Sequence, residues 1–349
     1  TRPPAGIMRE LSHTSKRKDK MFIPEYTITN KILQNIAKIE HTKAITEMCV
    51  ILDSLRKRQQ KEATIDFIRK NLLLEGIKTS EEEIKKYIDK ITPFPAGIIH
   101  GIKKGLEITQ YPTISLEVNE KDLTELYMAT KDTTKPLQVF RDRKYHNSDA
   151  ESAPEEILSN ITEFLDWVNS LDGRETHPVV KAGIIKGRLM LIKPFVTNNE
   201  VVSNLFAYKY LREEKYNLND YCHLEMAYVE DLLGYKDALE SITKEGDMTT
   251  WINFYTEAMA FMAEKKREEI LLLSKDTKIL QASGSAELTE RQEIIVAYLQ
   301  DYGKIQNKDF EIILPNVSED SVLRDLKVLM DKGIVVKKGK TKSSRYELV

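Results

Sequence analysis

Apolar residues recur along most of this chain at intervals of three and four, the spacing that puts them on one face of an α-helix. Ile32, Ile36, Ile39 and Ile45 begin the first stripe. Residues 55–91 carry a helical pair broken near Gly76. In the second member, Ser80 is an N-cap and Glu81, Glu82 and Glu83 place negative charge in the first turn. The segment 155–171 is the clearest amphipathic helix, with Ile157, Leu158, Ile161, Phe164, Leu165, Val168 and Leu171 sharing a face. After Pro178, residues 179–192 are apolar on most sides, which predicts a buried helix. A further helix follows the 193–200 loop with Val201, Val202, Leu205, Phe206 and Leu211 inward, and others are expected near 224–243 and 248–273. Alternating strand patterns are confined to a short piece at 137–143 and a pair of runs at the C-terminus, so the chain is expected to be mainly α.

The length of 349 residues suits two to three domains, and 41% hydrophobic residues suffice for a sizeable core. With 31% charged residues and a net charge of −2, any attraction to nucleic acid must come from a local patch. Two cysteines without a CxxC pair, Cys49 and Cys222, point to a reducing, cytoplasmic setting, and the six histidines have no metal-ligand spacing, so no metal site is expected. No apolar run is long enough to span a bilayer. Residues 1–20, with a basic run at Lys16–Lys18 and Lys20, read as a flexible tail, or alternatively as a DNA-binding arm, and not as a signal peptide. The expected divisions are that tail, an N-terminal helical region at 21–95, a core at 96–273, a linker at 274–287 around Ser283-Gly284-Ser285, and a C-terminal module at 288–349.

Residues 177–211 read HPVVKAGIIKGRLMLIKPFVTNNEVVSNLFAYKYL. Together with FIPEYTITNKILQNIAKIE, EFLDWVN, CHLEMAYVEDLLGYKDALESI and GDMTTWINFYTEAM, this segment resembles the Fic/Doc (Fido) family over about residues 21–266. The resemblance implies a Fic-type helical bundle with a small β-hairpin flap. It also implies a loop of pattern HPFx(D/E)GNGRxxR that transfers a nucleotidyl group from ATP, with Mg²⁺, to a target side chain. Such a loop needs a general base, an acidic metal ligand, glycines that form an anion nest, and arginines for phosphate. At those positions stand Lys193 for the base, Thr197 for the metal ligand, Asn198 and Glu200 for the nest glycines, and Val201 and Asn204 for the arginines, while Pro194, Phe195 and Asn199 are retained. An ordinary lysine is protonated at neutral pH and accepts no proton. The carboxylate of Glu200 is expected to repel and crowd a triphosphate. The loop therefore reads as catalytically degenerate, with no cofactor expected; ATP and Mg²⁺ enter only in the alternative of an active transferase with a remodelled loop, in which burial lowers the lysine's pKa. Phe195 is expected to anchor the loop in the core.

Relatives also carry an (S/T)xxxE(G/N) helix whose glutamate pairs with the second arginine and blocks the nucleotide. Here the matching stretch is Asn71-Leu-Leu-Leu-Glu75-Gly76, and its partner position is Asn204, so Glu75 is expected to have lost that role; Glu-Gly is also an ordinary helix end. Residues 137–146, including Phe140, Arg141, Arg143 and Lys144, fall where the family has its flap. They read either as a solvated charge run or as an edge that docks a protein partner.

Residues 289–349 resemble a winged helix-turn-helix. Thr289 and Gln292 form a capping box, Tyr302-Gly303 ends the first helix, Asn307 is expected to cap the second, Ser318 caps the third, and residues 334–348 alternate as a hairpin. In that architecture the third helix enters the major groove, which nominates Ser318, Asp320, Ser321 and Arg324 for bases and Lys327 for phosphate. The hairpin sets Lys337, Lys338, Lys340, Lys342 and Arg345 against Glu347 alone, although the segment from Glu287 onward carries eleven acidic and eleven basic residues. The leading expectation is a bacterial or archaeal regulator that binds double-stranded DNA as a homodimer. The alternatives are the transferase and a protein-interaction scaffold.

Overall fold

The computed structural model of the chain describes residues 22–51, 53–89, 97–111, 117–131, 139–143, 152–218, 223–282, 288–339 and 344–349. The tail at 1–20, the Ser-Gly-Ser stretch at 283–285, Lys144, Lys340 and Lys342 lie outside these residues. Among the described residues the chain is mainly helical. The larger part runs α1 (Asn30–Glu47), α2 (Asp53–Leu74), α3 (Glu81–Ile88), α4 (Gly97–Ile108), α5 (Glu120–Thr130), α6 (Ile157–Asn169), α7 (Leu171–Glu175), α8 (Pro178–Ile192), α9 (Asn199–Glu213), α10 (Glu225–Glu230), α11 (Leu232–Glu245) and α12 (Thr249–Ala282). No helix among them is long and apolar enough to cross a membrane.

The centre of the bundle is α8. It is buried on every side, as its apolar sequence predicts, and it also buries Lys181 and Lys186. Close packing against α12 depends on glycine. A Cβ on Gly187 would come within 2.6 Å of the Trp251 indole nitrogen, which donates to the carbonyl of Gly183 at 2.7 Å.

Two expected boundaries are corrected. Residues 21–95 and 96–273 share one hydrophobic core, reaching from Ile32 and Phe67 to Trp251 and Ala263, because α1 lies along α12. At that contact the Asn35 amide donates to the Thr256 hydroxyl at 3.2 Å. The expected linker at 274–287 is helical up to Ala282, since no glycine or proline interrupts α12 before Gly284. Residues 139–143 form no strand; the rest of the expected flap hairpin lies outside the described residues.

The C-terminal part contains α13 (Glu290–Tyr302), a 3₁₀ turn at Asn307–Asp309, α14 (Phe310–Ile313), α15 (Glu319–Asp331), β1 (Val335–Lys338) and β2 (Arg345–Leu348). The strands pair antiparallel with Val335 opposite Leu348 and Lys338 opposite Arg345, and Ile305 bridges to Tyr346. Its own apolar core includes Ile295, Leu299, Phe310, Val322, Leu326, Ile334 and Tyr346. The capping residue before the 3₁₀ turn is Gln306 rather than Asn307, because the Asp309 carboxylate reaches back to the Gln306 N–H at 2.9 Å. Asn307 instead donates to Glu319 at 2.5 Å. This part touches the bundle through α2. Lys57 pairs with Glu290 at 2.9 Å, Arg58 pairs with Asp301, and buried Ile51 and Ile270 pack against Ala297.

Candidate functional site

The loop between α8 and α9 is bounded by two left-handed residues, Lys193 (φ 43°) and Asn198 (φ 64°). Asparagine tolerates that region better than most side chains, so the turn into α9 survives without glycine. Asn199 closes the loop on itself: its Oδ1 accepts the Phe195 N–H at 3.0 Å and its Nδ2 donates to the Phe195 carbonyl at 2.9 Å. Phe195 is buried and stacks on Tyr127 with ring centroids 4.1 Å apart, and the Phe140 ring centroid lies 6.0 Å from its own.

Arg141 does not behave as part of a solvated charge run. It is buried, and its guanidinium donates to the carbonyls of Lys193 (2.8 Å), Arg143 (3.1 Å), Ser152 (2.5 Å) and Ile192 (3.3 Å). Two of these oxygens belong to the C-terminal end of α8, where carbonyls lack helical partners and the dipole favours a cation. The Arg141 N–H also donates to Pro194 at 2.9 Å, so the segment docks on the loop rather than projecting away from it. Arg143 is exposed.

The N-terminus of α9 departs furthest from expectation. The first amides of a helix have no partner within it. Here the N–H groups of Glu200 and Val201 both donate to Oε1 of Glu75, at 2.9 and 3.3 Å. Glu75 therefore has a partner at the head of α9, and that partner is backbone, not residue 204. Asn204 donates to Asn71, in the last turn of α2, at 2.9 Å. Glu200 does not crowd the nest. Its side chain turns inward, where Oε2 accepts from Lys186 and from the Tyr235 hydroxyl, each at 2.7 Å. Lys186 also contacts the Ser203 hydroxyl at 2.9 Å. Thr197 receives the Lys131 ammonium on its hydroxyl at 3.0 Å, and Asn198 donates to Thr130 at 3.2 Å.

Behind this arrangement lies a third acid. Glu225 is buried, its Oε2 has no hydrogen-bond partner, and burial pushes its carboxyl up to about 7. Lys186 and Asn71 offset part of that rise. Burial also raises the Glu75 carboxyl, and Glu200's charge adds to the rise, while the two α9 amides oppose it. Beside the loop, a cleft of about 460 Å³ is lined by Leu74, Leu191, Lys193, Glu200, Leu233 and Lys236 among others. Among the described residues, no group of histidine, cysteine, aspartate and glutamate side chains could hold a metal ion.

Lys186, Tyr235 and Glu225 were not among the residues singled out from sequence. The signal available for Lys186 was a lysine inside a helix apolar on most sides, since a fully buried lysine is rare without a carboxylate partner.

In the C-terminal part, Ser318, Asp320, Arg324 and Lys327 are exposed on α15, with Ser321 half-buried. Ser318 makes no capping bond to the α15 backbone; its hydroxyl lies 2.9 Å from that of Ser321. Arg324 donates to the Asp320 carbonyl at 3.3 Å. On the hairpin, Lys338 and Arg345 both pair with Glu347 at 2.6 Å, and Lys337 sits 5.5 Å from the centre of the Tyr346 ring.

The helical bundle, with its buried central helix and the loop leading into α9, has the fold of solved Fic proteins. A Fic family protein from Desulfovibrio desulfuricans G20 superposes with a TM-score of 0.63 at 18% identity, covering 94% of this chain and 98% of that one. Residues 134–508 of Fic-1 from C. elegans give 0.57 at 15% identity over 70% of this chain and 73% of that one. A Fic domain containing signaling protein from Bacteroides thetaiotaomicron VPI-5482 gives 0.52 at 18% identity over 70% and 98%. No family model and no curated protein sequence matches the chain.

Proposed function

We propose that this chain is a regulator in which a Fic-fold bundle without transferase activity carries a winged-helix module that binds double-stranded DNA, with two copies of the chain reading two half-sites. The observation that carries the reading is the C-terminal part: three helices and a basic hairpin around their own core, with Arg324 and Lys327 exposed on the third helix. That order of elements suits insertion of α15 into a major groove, with the hairpin on phosphate. The loss of transfer chemistry is supported by the other end of the molecule. A magnesium–triphosphate does not fit the residues present. Its anion would displace Glu75 from the α9 amides, and its metal would meet the Lys131 ammonium on Thr197.

Duplex DNA titrated at stepped salt concentrations tests the reading. Affinity should fall steeply with salt, and Arg324→Ala should weaken it. Absence of duplex binding at low salt sinks it in favour of a protein-interaction module, which the pairing of Lys338 and Arg345 with Glu347 favours. Incubation with labelled ATP and Mg²⁺ tests the other half: no label should transfer, and transfer abolished by Lys193→Ala would restore the enzyme.

A further inference from the structure

The helix that closes the N-terminus of α9 is also the helix that holds the C-terminal part. α2 is 22 residues long, about 33 Å at 1.5 Å per residue, and has no glycine or proline to hinge it. At its C-terminal end, Asn71 accepts from Asn204, and Glu75, one residue past the helix, accepts from the Glu200 and Val201 amides. At its N-terminal end, Lys57 and Arg58 grip Glu290 and Asp301, near opposite ends of α13, and Ile51 is buried just ahead of the helix beside Ile270 and Ala297. Between the two ends, Ala63, Ile65, Phe67, Ile68 and Leu72 are buried in the bundle core.

We propose that α2 couples the two ends, so that docking of the C-terminal part on its first turns and closure of α9 by Glu75 strengthen each other. A hingeless helix packed into a core moves by sliding as one body, not by bending, so contacts at its two ends share a single position. Coupling of this kind is reciprocal: whatever loosens one contact loosens the other by the same factor. The Glu75 contact is suited to respond. It consists of one carboxylate oxygen on two amides, held in a buried site that already contains Glu200 and Glu225. The inference does not depend on what the C-terminal part binds. Its test uses no DNA, so failure of the DNA-binding reading leaves it standing, and the reverse.

Amide hydrogen exchange on the full chain reads both ends. The Glu200 and Val201 amides have no partner inside α9, so their protection reports Glu75 directly. In the double variant Lys57→Glu/Arg58→Glu, exchange at these two amides should accelerate about tenfold. Adding Glu290→Lys and Asp301→Arg should restore it. Conversely, Glu75→Ala should accelerate exchange across 290–302 by a similar factor. If the double reversal does not fold, Lys57→Ala/Arg58→Ala gives the same readouts at about threefold. Unchanged protection at Glu200 and Val201 while α13 loosens, or an unaffected α13 in Glu75→Ala, overturns the proposal.

Discussion

Two helix N-termini in this molecule meet opposite fates. At α9 the amides of Glu200 and Val201 are satisfied by the chain's own carboxylate, and the neighbouring side chains are committed to one another. At α15 the Ser318 side chain makes no capping bond to a backbone amide, and Glu319 and Asp320 of the first turn stand exposed. A helix start is an anion-binding device in either place, because its N–H groups and dipole are the same. What differs is whether the chain has filled it. The first end is closed from within and buried; the second lies at the surface with Glu319 and Asp320 in its own first turn. The Fic-fold bundle therefore keeps the geometry of an anion site while occupying it; in the function proposed above, outward recognition belongs to the smaller C-terminal part.

That contrast can be broken at its strongest point by removing Lys186. Lys186→Met leaves Glu200 buried without its cation, beside Glu225 and Glu75, and should lower stability by roughly 3–5 kcal/mol in urea unfolding, the range for breaking a buried pair. Little change would mean that water enters the closed end freely. The next effect is a pH dependence. Because the folded chain binds the Glu225 proton more tightly than the unfolded chain does, stability should be greatest below the ordinary value of 4.5 and fall as pH rises through about 7. The contribution is bounded at about 3 kcal/mol, and Glu225→Gln should flatten that part of the profile.

At the open end, Arg324→Ala should weaken duplex binding by roughly 1–3 kcal/mol while leaving unfolding midpoints unchanged, because the side chain is exposed. Glu75→Ala should destabilise by roughly 1–2 kcal/mol through loss of the cap, read as a lowered midpoint in urea unfolding. The smallest effect is expected from Lys338→Ala, whose exposed pair with Glu347 contributes at most about 1 kcal/mol.

Much of the fold was legible because amphipathic helices advertise their inner faces. The 157–169 helix, the all-round apolar α8 and the capping box at Thr289 follow from spacing and residue type alone. The limits of α12 were harder. The Ser-Gly-Ser stretch at 283–285 suggested a linker beginning at Ser274, but serine is only a weak helix breaker and Ser274 is buried. The candidate site was legible by position and not by contact. A sequence motif names side-chain partners, whereas Glu75 found backbone amides and Arg141 found carbonyls, groups that every residue carries and no residue type announces. The inward turn of Glu200 was hidden for a related reason: its partner, Lys186, lies fourteen positions away across a turn, a separation that no helical period connects.

The Lys186–Glu200 contact also bears on how such a chain could change. Glycine at position 200 would strand an ammonium that is fully enclosed and leave the Tyr235 hydroxyl without its acceptor. Substituting Lys186 first would strand a carboxylate instead. Neither single step is neutral, so the two positions change without cost only together. The buried pair works as a ratchet, holding the loop in its present form whatever selection acts on the surface.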